Sequence, residues 1–257
     1  SVLPANPDAL LSGVRVFKNY IAVQELGNAQ NNVKIINRET KETHEVKLGK
    51  KDFGNVSISS NPNANTDTIR LSYNSFNNLS TIYDYDMASE KSKAVWTDSL
   101  RVRYNPRWEI ERIWATAPDG KKVPVTLMYS KILRKRFPHN MLWLTSYGAY
   151  GSPSLATFQK SFLPLLRRGF VVAIAHVRGG TDMGMEWYED GRMKNKMNTF
   201  TDFIACAEAL IAEGLTEKGK IIAQGGSAGG LLMGAISNLR PDLFHTVVLD
   251  VPFVDVI

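Results

Sequence analysis

One short segment of the chain has the residue types and spacing of an acyl-transfer nucleophile. Residues 221–230 read Ile-Ile-Ala-Gln-Gly-Gly-Ser-Ala-Gly-Gly, which places Ser227 in a G-x-S-x-G motif with Gly225 and Gly229. In this motif a strand turns sharply into a helix, and the serine hydroxyl is exposed above the sheet. Side chains two residues before and after the serine would collide with the neighbouring strand and helix, so both positions need glycine. The motif predicts Ser227 as a nucleophile and the backbone N–H of Ala228 as a donor to the oxyanion.

A glycine-rich turn between a strand and a helix can instead serve only packing, or bind phosphate. A phosphate-binding loop of the Walker type carries a lysine next to the loop, and this segment has none. The two elements that a nucleophile turn requires are both predicted, a strand at Ile221–Ala223 and a helix at Ala228–Leu239. This context favours the nucleophile.

A serine nucleophile also needs a histidine and an acid, which follow it in the order Ser, acid, His in α/β-hydrolases. Only 30 residues follow Ser227 (257 − 227), and His245, 18 positions beyond the serine (245 − 227), is the one histidine among them. His245 lies at a predicted helix-to-strand junction, where this fold places no base, so we interpret it as structural. Asp250 and Asp255 follow the serine too closely to be the triad acid.

The remaining histidines do not supply the base either. His176 ends a predicted strand but precedes the serine, and His44 and His139 lie in polar stretches that indicate surface loops. We therefore expect the triad acid and histidine to lie outside this chain, which would be a fragment of a larger enzyme. Alone, it is expected to be inactive as an enzyme and poorly soluble.

The elements that position the motif change character along the chain. About the first hundred residues contain short β-branched and aromatic runs between turn-forming residues, which predict a sandwich, a barrel or a propeller. The runs are Val14–Phe17, Tyr20–Val23, Val33–Ile36, Val56–Ser59, Ile69–Tyr73, Thr81–Tyr85 and Ala94–Trp96. We predict an all-β domain at residues 1–104 and a second domain at 105–257, with the change near Tyr104-Asn105-Pro106.

The second domain begins with a predicted hairpin and continues with alternating strands and helices. The hairpin joins Glu109–Ala115 to Val123–Tyr129 through Pro118-Asp119-Gly120. The later strands are predicted at Met141–Thr145, Phe170–His176, Ile221–Ala223 and Thr246–Val251, and the helices at Ser161–Arg168, 198–213 and Ala228–Leu239. Ser161 is the predicted N-cap of the first helix. Such alternation predicts an α/β fold with a mostly parallel sheet and crossover helices.

Composition narrows the classes of partner and cofactor. The net charge is +6, and its densest cluster is Lys131, Arg134, Lys135 and Arg136, which we interpret as a solvated loop and not a nucleic-acid site. Cys206 is the one cysteine, which excludes an intramolecular disulfide framework and a Cys-rich zinc site, and it is interpreted as a half-buried packing residue. No apolar stretch is long enough to span a membrane. No cofactor or metal is predicted.

Three blocks of sequence together cover residues 141–257 almost continuously. They are Tyr147-Gly148-Ala149-Tyr150-Gly151, then His176-Val177-Arg178-Gly179-Gly180 with Glu186–Gly191 and Lys196–Phe200, then Gly225–Gly230 with Arg240–His245 and Val251–Val256. The blocks resemble the prolyl oligopeptidase family of serine peptidases, and within it the oligopeptidase B enzymes. The β-rich segment before them is similar to the last blades of the seven-bladed propeller that covers the active site in this family.

The resemblance implies a cytosolic serine peptidase that cleaves short peptides after Arg or Lys. It implies Ser227 as the nucleophile, with the Tyr147 hydroxyl joining the Ala228 N–H in the oxyanion hole. On the residues alone, a tyrosine in a glycine-rich loop is more often a packing residue. Oligopeptidase B enzymes usually carry two acidic residues shortly after the Tyr-Gly block, where this chain has Leu155-Ala156-Thr157, so a preference for dibasic sites is not implied. Thr181-Asp182 also replaces the usual Gly-Glu.

Two other functions compete with the peptidase. A carboxylesterase also carries Gly-x-Ser-Ala-Gly-Gly, but usually with a His-Gly-Gly-Gly oxyanion loop, where this chain has Ser146-Tyr147-Gly148-Ala149. A catalytically inactive truncated hydrolase could instead serve as a binding module through its β region. An Asp and a His downstream of Ile257 would support the peptidase, and their absence would support the binding module.

Overall fold

The computed structural model describes residues 4, 6–49, 53–99, 108–137 and 140–254. The chain divides into two compact units: Ser1–Pro106 with Ala156–Phe158, and Arg107–Leu155 with Gln159–Ile257. The predicted boundary at Tyr104-Asn105-Pro106 lies outside the described residues, and so do His139 and Asp255. None of the helices in the described ranges has both the length and the apolar content needed to cross a bilayer.

The first unit contains two antiparallel sheets of four strands each, in which neighbours in sequence are neighbours in the sheet. The strands of the first sheet are β1 (Ala9–Val16), β2 (Tyr20–Gly27), β3 (Gln30–Asn37) and β4 (Thr43–Glu45). Those of the second sheet are β5 (Asn55–Ile58), β6 (Thr68–Asn74), β7 (Thr81–Asp86) and β8 (Ser92–Thr97). Successive four-stranded up-and-down sheets are the geometry of propeller blades, which selects the propeller among the predicted all-β architectures. The seven predicted strands are present, and β4 is an additional one.

Alternation of side chains builds the core of this unit. In β6, Ile69, Leu71 and Tyr73 point inward and are buried, while Arg70 on the other face forms a salt bridge with Asp84 on β7 at 2.8 Å. His44 lies in the short strand β4 and is half-buried, so its interpretation as a loop residue on the surface is wrong.

The second unit is built on a six-stranded sheet in the order β14-β13-β11-β12-β10-β9. Its strands are β9 (Glu109–Thr116), β10 (Lys122–Tyr129), β11 (Leu142–Thr145), β12 (Val171–Ala175), β13 (Ile221–Gly226) and β14 (Phe244–Asp250). β9 and β10 form the predicted antiparallel hairpin, and β11 to β14 run parallel. The helices are α1 (Lys131–Arg136), α2 (Leu163–Arg167), α3 (Met185–Glu189), α4 (Met197–Ala212) and α5 (Ala228–Leu239). The mostly parallel sheet with crossover helices is confirmed.

Helix α4 is the clearest case of a pattern that folds as predicted. Phe200, Phe203, Ala207 and Leu210 recur at helical spacing and are all buried in the core between helices and sheet. Every residue of β12 is buried as well, as expected for a parallel strand covered on both faces. This core fixes the carboxyl ends of the strands, where the nucleophile turn begins.

Two local predictions are wrong. Ser161 is not a helix N-cap, because it lies inside a 3₁₀ turn at Lys160–Phe162, and α2 begins only after this turn, at Leu163. The basic cluster at residues 131–136 is not a loop but the short helix α1, whose N-cap Ser130 accepts a hydrogen bond from the Leu133 N–H. Its side chains remain at the surface, so the predicted solvation is retained.

A buried ion network ties the hairpin, the segment after β12 and α4 together. Arg178 is 1% exposed, and its Nε and Nη2 donate to the Asp202 carboxylate at 2.9 and 2.6 Å. Its guanidinium also donates to Asp119 in the β9–β10 turn. Burial raises the pKa of Asp202, and the hydrogen bonds from Arg178 oppose that rise. An unpaired charge would be unfavourable at either buried position, so Arg178 and Asp202 each require the other.

Replacement of Asp202 by asparagine should destabilise this unit strongly, because it leaves the buried Arg178 without its main counter-charge. Loss of one partner of a buried pair typically costs about 3–5 kcal/mol in the free energy of unfolding. The exposed Asp242, which pairs with Arg240, is the matched control, and Asp242→Asn should cost at most about 1 kcal/mol. Guanidinium unfolding curves of the two variants measure both values. Equal midpoints would contradict the network's role.

Candidate active site

Ser227 occupies the turn between β13 and α5 in a backbone conformation that L-residues rarely adopt. Its φ is 54° and its ψ is −119°, which costs on the order of 1–3 kcal/mol. Its N–H donates to the Asp250 carbonyl at 2.9 Å, and its carbonyl accepts from the N–H groups of Gly230 and Phe253, each at 2.9 Å. The turn is thus fastened both to α5 and to β14 with the residues that follow it.

The glycines of the motif are explained by close contacts of the backbone. A Cβ on Gly225 would lie 2.4 Å from the Gly229 carbonyl oxygen. A Cβ on Gly229 would lie 3.0 Å from the Ser146 carbonyl oxygen, at the end of β11. These distances are at or below the shortest that real Cβ atoms show. The strand, the helix and the loop after β11 can meet at Ser227 only because both positions lack a side chain.

Ala228 is the first residue of α5 and is 5% exposed. The first N–H groups of a helix have no acceptor within the helix, and the helix dipole adds partial positive charge there. The Ala228 N–H, next to the Ser227 hydroxyl in sequence, is therefore a suitable donor to negative charge that forms on an attacked carbonyl.

Tyr147 lies in the loop that leaves β11. A Cβ built on Gly229 would be 3.4 Å from both the Cα and the ring Cδ2 of Tyr147, so the tyrosine lies against the first turn of α5. The side chain is half-buried. The structure thus brings Tyr147, Ser227 and Ala228 to one end of the sheet, where β11 and β13 end side by side.

Hydrogen bonds to the segment that follows β12 hold the loop after Tyr147 in place. The Gly151 N–H donates to the Gly179 carbonyl at 2.9 Å, and the Thr181 hydroxyl donates to the Gly151 carbonyl at 2.8 Å. The Ser154 N–H donates to the buried Asp182 carboxylate at 2.8 Å. Thr181 and Asp182, which stand where the resembled family usually has Gly-Glu, therefore anchor this loop.

A cavity of about 260 Å³ opens beside the start of α5. Its lining includes Ala149, Tyr150, Tyr188, Ala228, Leu231 and Phe253. Its charged lining groups are Arg192 and Lys196, and within the described ranges it is lined by no carboxylate. A larger open cleft of about 950 Å³ lies in the first unit and is lined by exposed Lys18, Arg38 and Lys41. The smaller cavity is bordered by Ala228, the residue that follows Ser227.

Two of the histidines that the structure describes, His176 and His245, lie in the second unit. His176 is fully buried, with Nε2 2.8 Å from the Thr126 hydroxyl and Nδ1 3.1 Å from Asp182, and burial lowers its pKa. His245 is an exposed residue of β14. Of the two acids that follow the serine, Asp250 contributes its backbone carbonyl to the turn, as described above. The structure brings no histidine of the described residues into a pair with the serine.

Cys206 is wholly buried in α4 rather than half-buried, and burial raises the pKa of its thiol well above the usual range. It is a packing residue there. In the described part of the chain, no group of three or more His, Cys, Asp or Glu side chains could hold a metal ion.

Sequence reasoning did not identify Asp182 or Lys196 as groups that hold the candidate site. The Asp182 carboxylate binds the Ser154 N–H, and the Lys196 ammonium donates to the Gly148 carbonyl. Both contacts join residues that are far apart in the sequence and go to backbone atoms, so no motif signals them. The one indication in the sequence was that Thr181-Asp182 replaces the Gly-Glu usual in the resembled family.

The fold and the site define an α/β-hydrolase sheet that carries a serine turn and follows two blades of a propeller. Residues 156–257 match the model of the "Prolyl oligopeptidase family", and residues 1–98 match that of the "Prolyl oligopeptidase, N-terminal beta-propeller domain". The two matched regions are successive parts of the same architecture. The chain belongs to the prolyl oligopeptidase family.

Known relatives match most of the chain. Dipeptidyl aminopeptidase BI of Pseudoxanthomonas mexicana is 38% identical over 97% of the chain and 34% of the relative. Protease 2 of Moraxella lacunata is 40% identical over 79% of the chain and 29% of the relative. The structure of oligopeptidase B from Trypanosoma brucei with covalently bound antipain superposes with a TM-score of 0.89 and 34% identity, over 98% of this chain and 37% of that one. The chain thus spans about a third of the length of these relatives.

The two neighbouring glycines before Ser227 should respond very differently to an added methyl group. Gly225→Ala should lower stability by about 1–3 kcal/mol, because its Cβ would meet backbone at 2.4 Å. Gly226→Ala is the matched control, because its nearest neighbour would be the Asp250 carbonyl oxygen at 3.4 Å. Thermal unfolding followed by near-UV circular dichroism compares the variants. Similar thermal unfolding midpoints for the two variants would contradict the close backbone contact at Gly225.

Proposed function

We propose that this chain carries the nucleophile and the oxyanion hole of a serine oligopeptidase. The observation that carries the proposal is the strained turn at Ser227, which adjoins both Ala228 and the Tyr147 loop. The dipeptidyl aminopeptidase and oligopeptidase relatives support peptide substrates over carboxylic esters. The Tyr-Gly loop, in the place of a His-Gly-Gly-Gly loop, supports the same choice. We also propose the cytosol as its compartment, on the family resemblance.

In the proposed reaction, the Ser227 Oγ attacks the scissile carbonyl carbon and its proton passes to a histidine base. The carbonyl oxygen becomes an oxyanion that accepts hydrogen bonds from the Ala228 N–H and the Tyr147 hydroxyl. Collapse breaks the C–N bond, the base returns the proton to the leaving amine, and water then hydrolyses the acyl-serine. We propose that the acid and the histidine come from residues outside this chain, since the relatives are about three times as long.

We propose Arg or Lys at P1 of the substrate, as the oligopeptidase B resemblance implies. The cavity beside Ala228 has an apolar and aromatic lining that suits the stem of a long side chain. A basic end group needs a carboxylate partner. Because the described lining offers only Arg192 and Lys196 as charged groups, we assign the carboxylates to residues outside this chain.

A fluorophosphonate should label Ser227 in the whole protein that carries these residues, and Ser227→Ala should abolish both labelling and hydrolysis. Mass spectrometry of the labelled peptide identifies the serine, and peptides with Arg, Pro or Glu at P1 identify the specificity. Turnover by Ser227→Ala at the wild-type rate would rule out this nucleophile. Faster cleavage after Pro than after Arg would leave the nucleophile in place and overturn the basic P1 assignment.

Tyr147→Phe should lower kcat by about 10²–10³ with a smaller change in KM, because it removes a donor that acts on the developing charge. Tyr83→Phe is the matched control, since Tyr83 is half-buried like Tyr147 but lies in β7 of the first unit and is not among the residues that line the cavity. Steady-state kinetics on an Arg-P1 substrate measures both. A raised KM with unchanged kcat would make Tyr147 a residue that only packs against substrate.

A further inference from the structure

The loop that carries Tyr147 has an unusual backbone. Gly148, Tyr150 and Gly151 all have φ in the left-handed region, at +66°, +56° and +66°. The two glycines adopt this conformation at no steric cost, whereas Tyr150 adopts it at a cost and keeps it only where the surroundings determine it. The direction of the Tyr147 hydroxyl therefore depends on the groups that hold the next peptide units.

Gly148 is the point at which the surroundings are tightest. A Cβ on Gly148 would lie 2.5 Å from Cγ2 of Thr199 and 2.8 Å from Cγ2 of Val177, and a Cβ on Gly179 would lie 2.2 Å from the Gly148 oxygen. Packing thus closes both sides of the Gly148 peptide. Its carbonyl oxygen accepts a hydrogen bond from the Lys196 ammonium.

Lys196 reaches this carbonyl from the start of α4, where it precedes the first helical residue. Its Nζ lies 5.9 Å from the centroid of the Phe200 ring and borders the cavity shared with Ala149 and Ala228. Among the residues that the structure describes, no carboxylate forms an ion pair with it. Its polar contact is therefore directed at the loop and not at a counter-charge.

A half-buried ammonium without a counter-charge is unfavourable for folding. Burial lowers the pKa of Lys196 to about 8. The side chain thus gives up solvation of its charge, which a neutral side chain of similar length would not do. A stabilising role in the fold does not explain this arrangement, whereas a role in holding the Gly148 carbonyl does.

We propose that Lys196 is a positioning residue of the oxyanion hole, whose ammonium holds the Gly148 carbonyl and so aims the adjacent Tyr147 hydroxyl. The inference rests on the proposed function, because the oxyanion is that of the acyl-transfer reaction. Lys196 does not touch the reacting atoms in this account.

The proposal predicts a pH dependence. The ammonium is the stronger donor, so loss of its proton as the pH rises past about 8 weakens the bond to Gly148 and lowers kcat. The other ionisable groups that line the same cavity in the described residues are Tyr150, Tyr188 and Arg192. Lys196→Met should remove this alkaline decline, whereas variants at the two tyrosines should keep it.

A double-mutant cycle on the whole protein tests whether Lys196 acts through Tyr147. Lys196→Met should lower kcat by about tenfold or more with little change in KM, and should not lower the unfolding midpoint. Lys196→Arg, which keeps a donor, should recover part of the loss. In a Tyr147→Phe background, Lys196→Met should cost little further, since the group that it positions is gone. Lys194→Met, at an exposed lysine two residues away, is the control and should leave kcat unchanged.

A second measurement is independent of turnover. With 3-fluorotyrosine at position 147, the ¹⁹F spectrum should show one resonance in the wild type and a shifted or broadened one in Lys196→Met, with Lys194→Met unchanged. An unchanged resonance in Lys196→Met, or losses of kcat that multiply in the double mutant, would overturn the positioning role. If no fluorophosphonate labels Ser227, the proposed function fails and the oxyanion role with it, and the fluorine spectrum then decides only whether Lys196 orients the Tyr147 side chain.

Discussion

The backbone of Ser227 is the constraint on which the rest of the second unit depends. A residue at φ 54° and ψ −119° is unfavourable by itself, so its neighbours must hold it. The Ser227 N–H donates to the Asp250 carbonyl in β14, and the Ser227 carbonyl accepts from the Phe253 N–H, so the peptide groups on both sides of Ser227 are held in place. Because Gly225 and Gly229 have no side chain, the backbones of β13 and α5 can come into direct contact. β11, β13 and β14 run parallel and so end at the same edge, where this turn is formed.

A second segment, the loop from Tyr147 to Ser154, meets this turn and is stabilised differently. The Ser227 turn is held by backbone hydrogen bonds within the sheet and α5. The loop depends instead on side chains from other elements, namely Thr181, Asp182 and Lys196. Beneath them, the buried pair of Arg178 and Asp202 fixes the segment after β12 to α4. The conformation of the site is therefore set by residues that do not face the cavity as well as by those that do.

The sequence was informative wherever the physical cause is local. The turn at Ser227, its flanking strand and helix, and the apolar face of α4 are all encoded within a few residues, and the structure has them at the predicted places. Helix α1 was not predicted, because its basic residues show no helical repeat of apolar residues. It is also only 6 residues long after its N-cap Ser130, too short for such a repeat to appear. Ser161 misled because a serine before a proline-containing helix resembles a cap, whereas the chain forms a 3₁₀ turn there.

The contacts that hold the Tyr147 loop could not be found in this way. Arg178 and Asp202 are 24 residues apart, and Lys196 and Gly148 are 48 apart. A bond from a side chain to a distant carbonyl places no demand on the acceptor's residue type, so it leaves no pattern. The same reasoning explains why Lys196 and Asp182 emerged only from the three-dimensional arrangement.

The most direct test is a crystal structure of the whole protein with a peptide boronic acid that ends in arginine, which forms a tetrahedral adduct with a serine nucleophile. The account predicts boron bonded to the Ser227 Oγ. It further predicts one boronate oxygen at about 2.7–3.1 Å from both the Ala228 nitrogen and the Tyr147 hydroxyl. An adduct on another residue, or a boronate oxygen that points away from Tyr147 and Ala228, would contradict it.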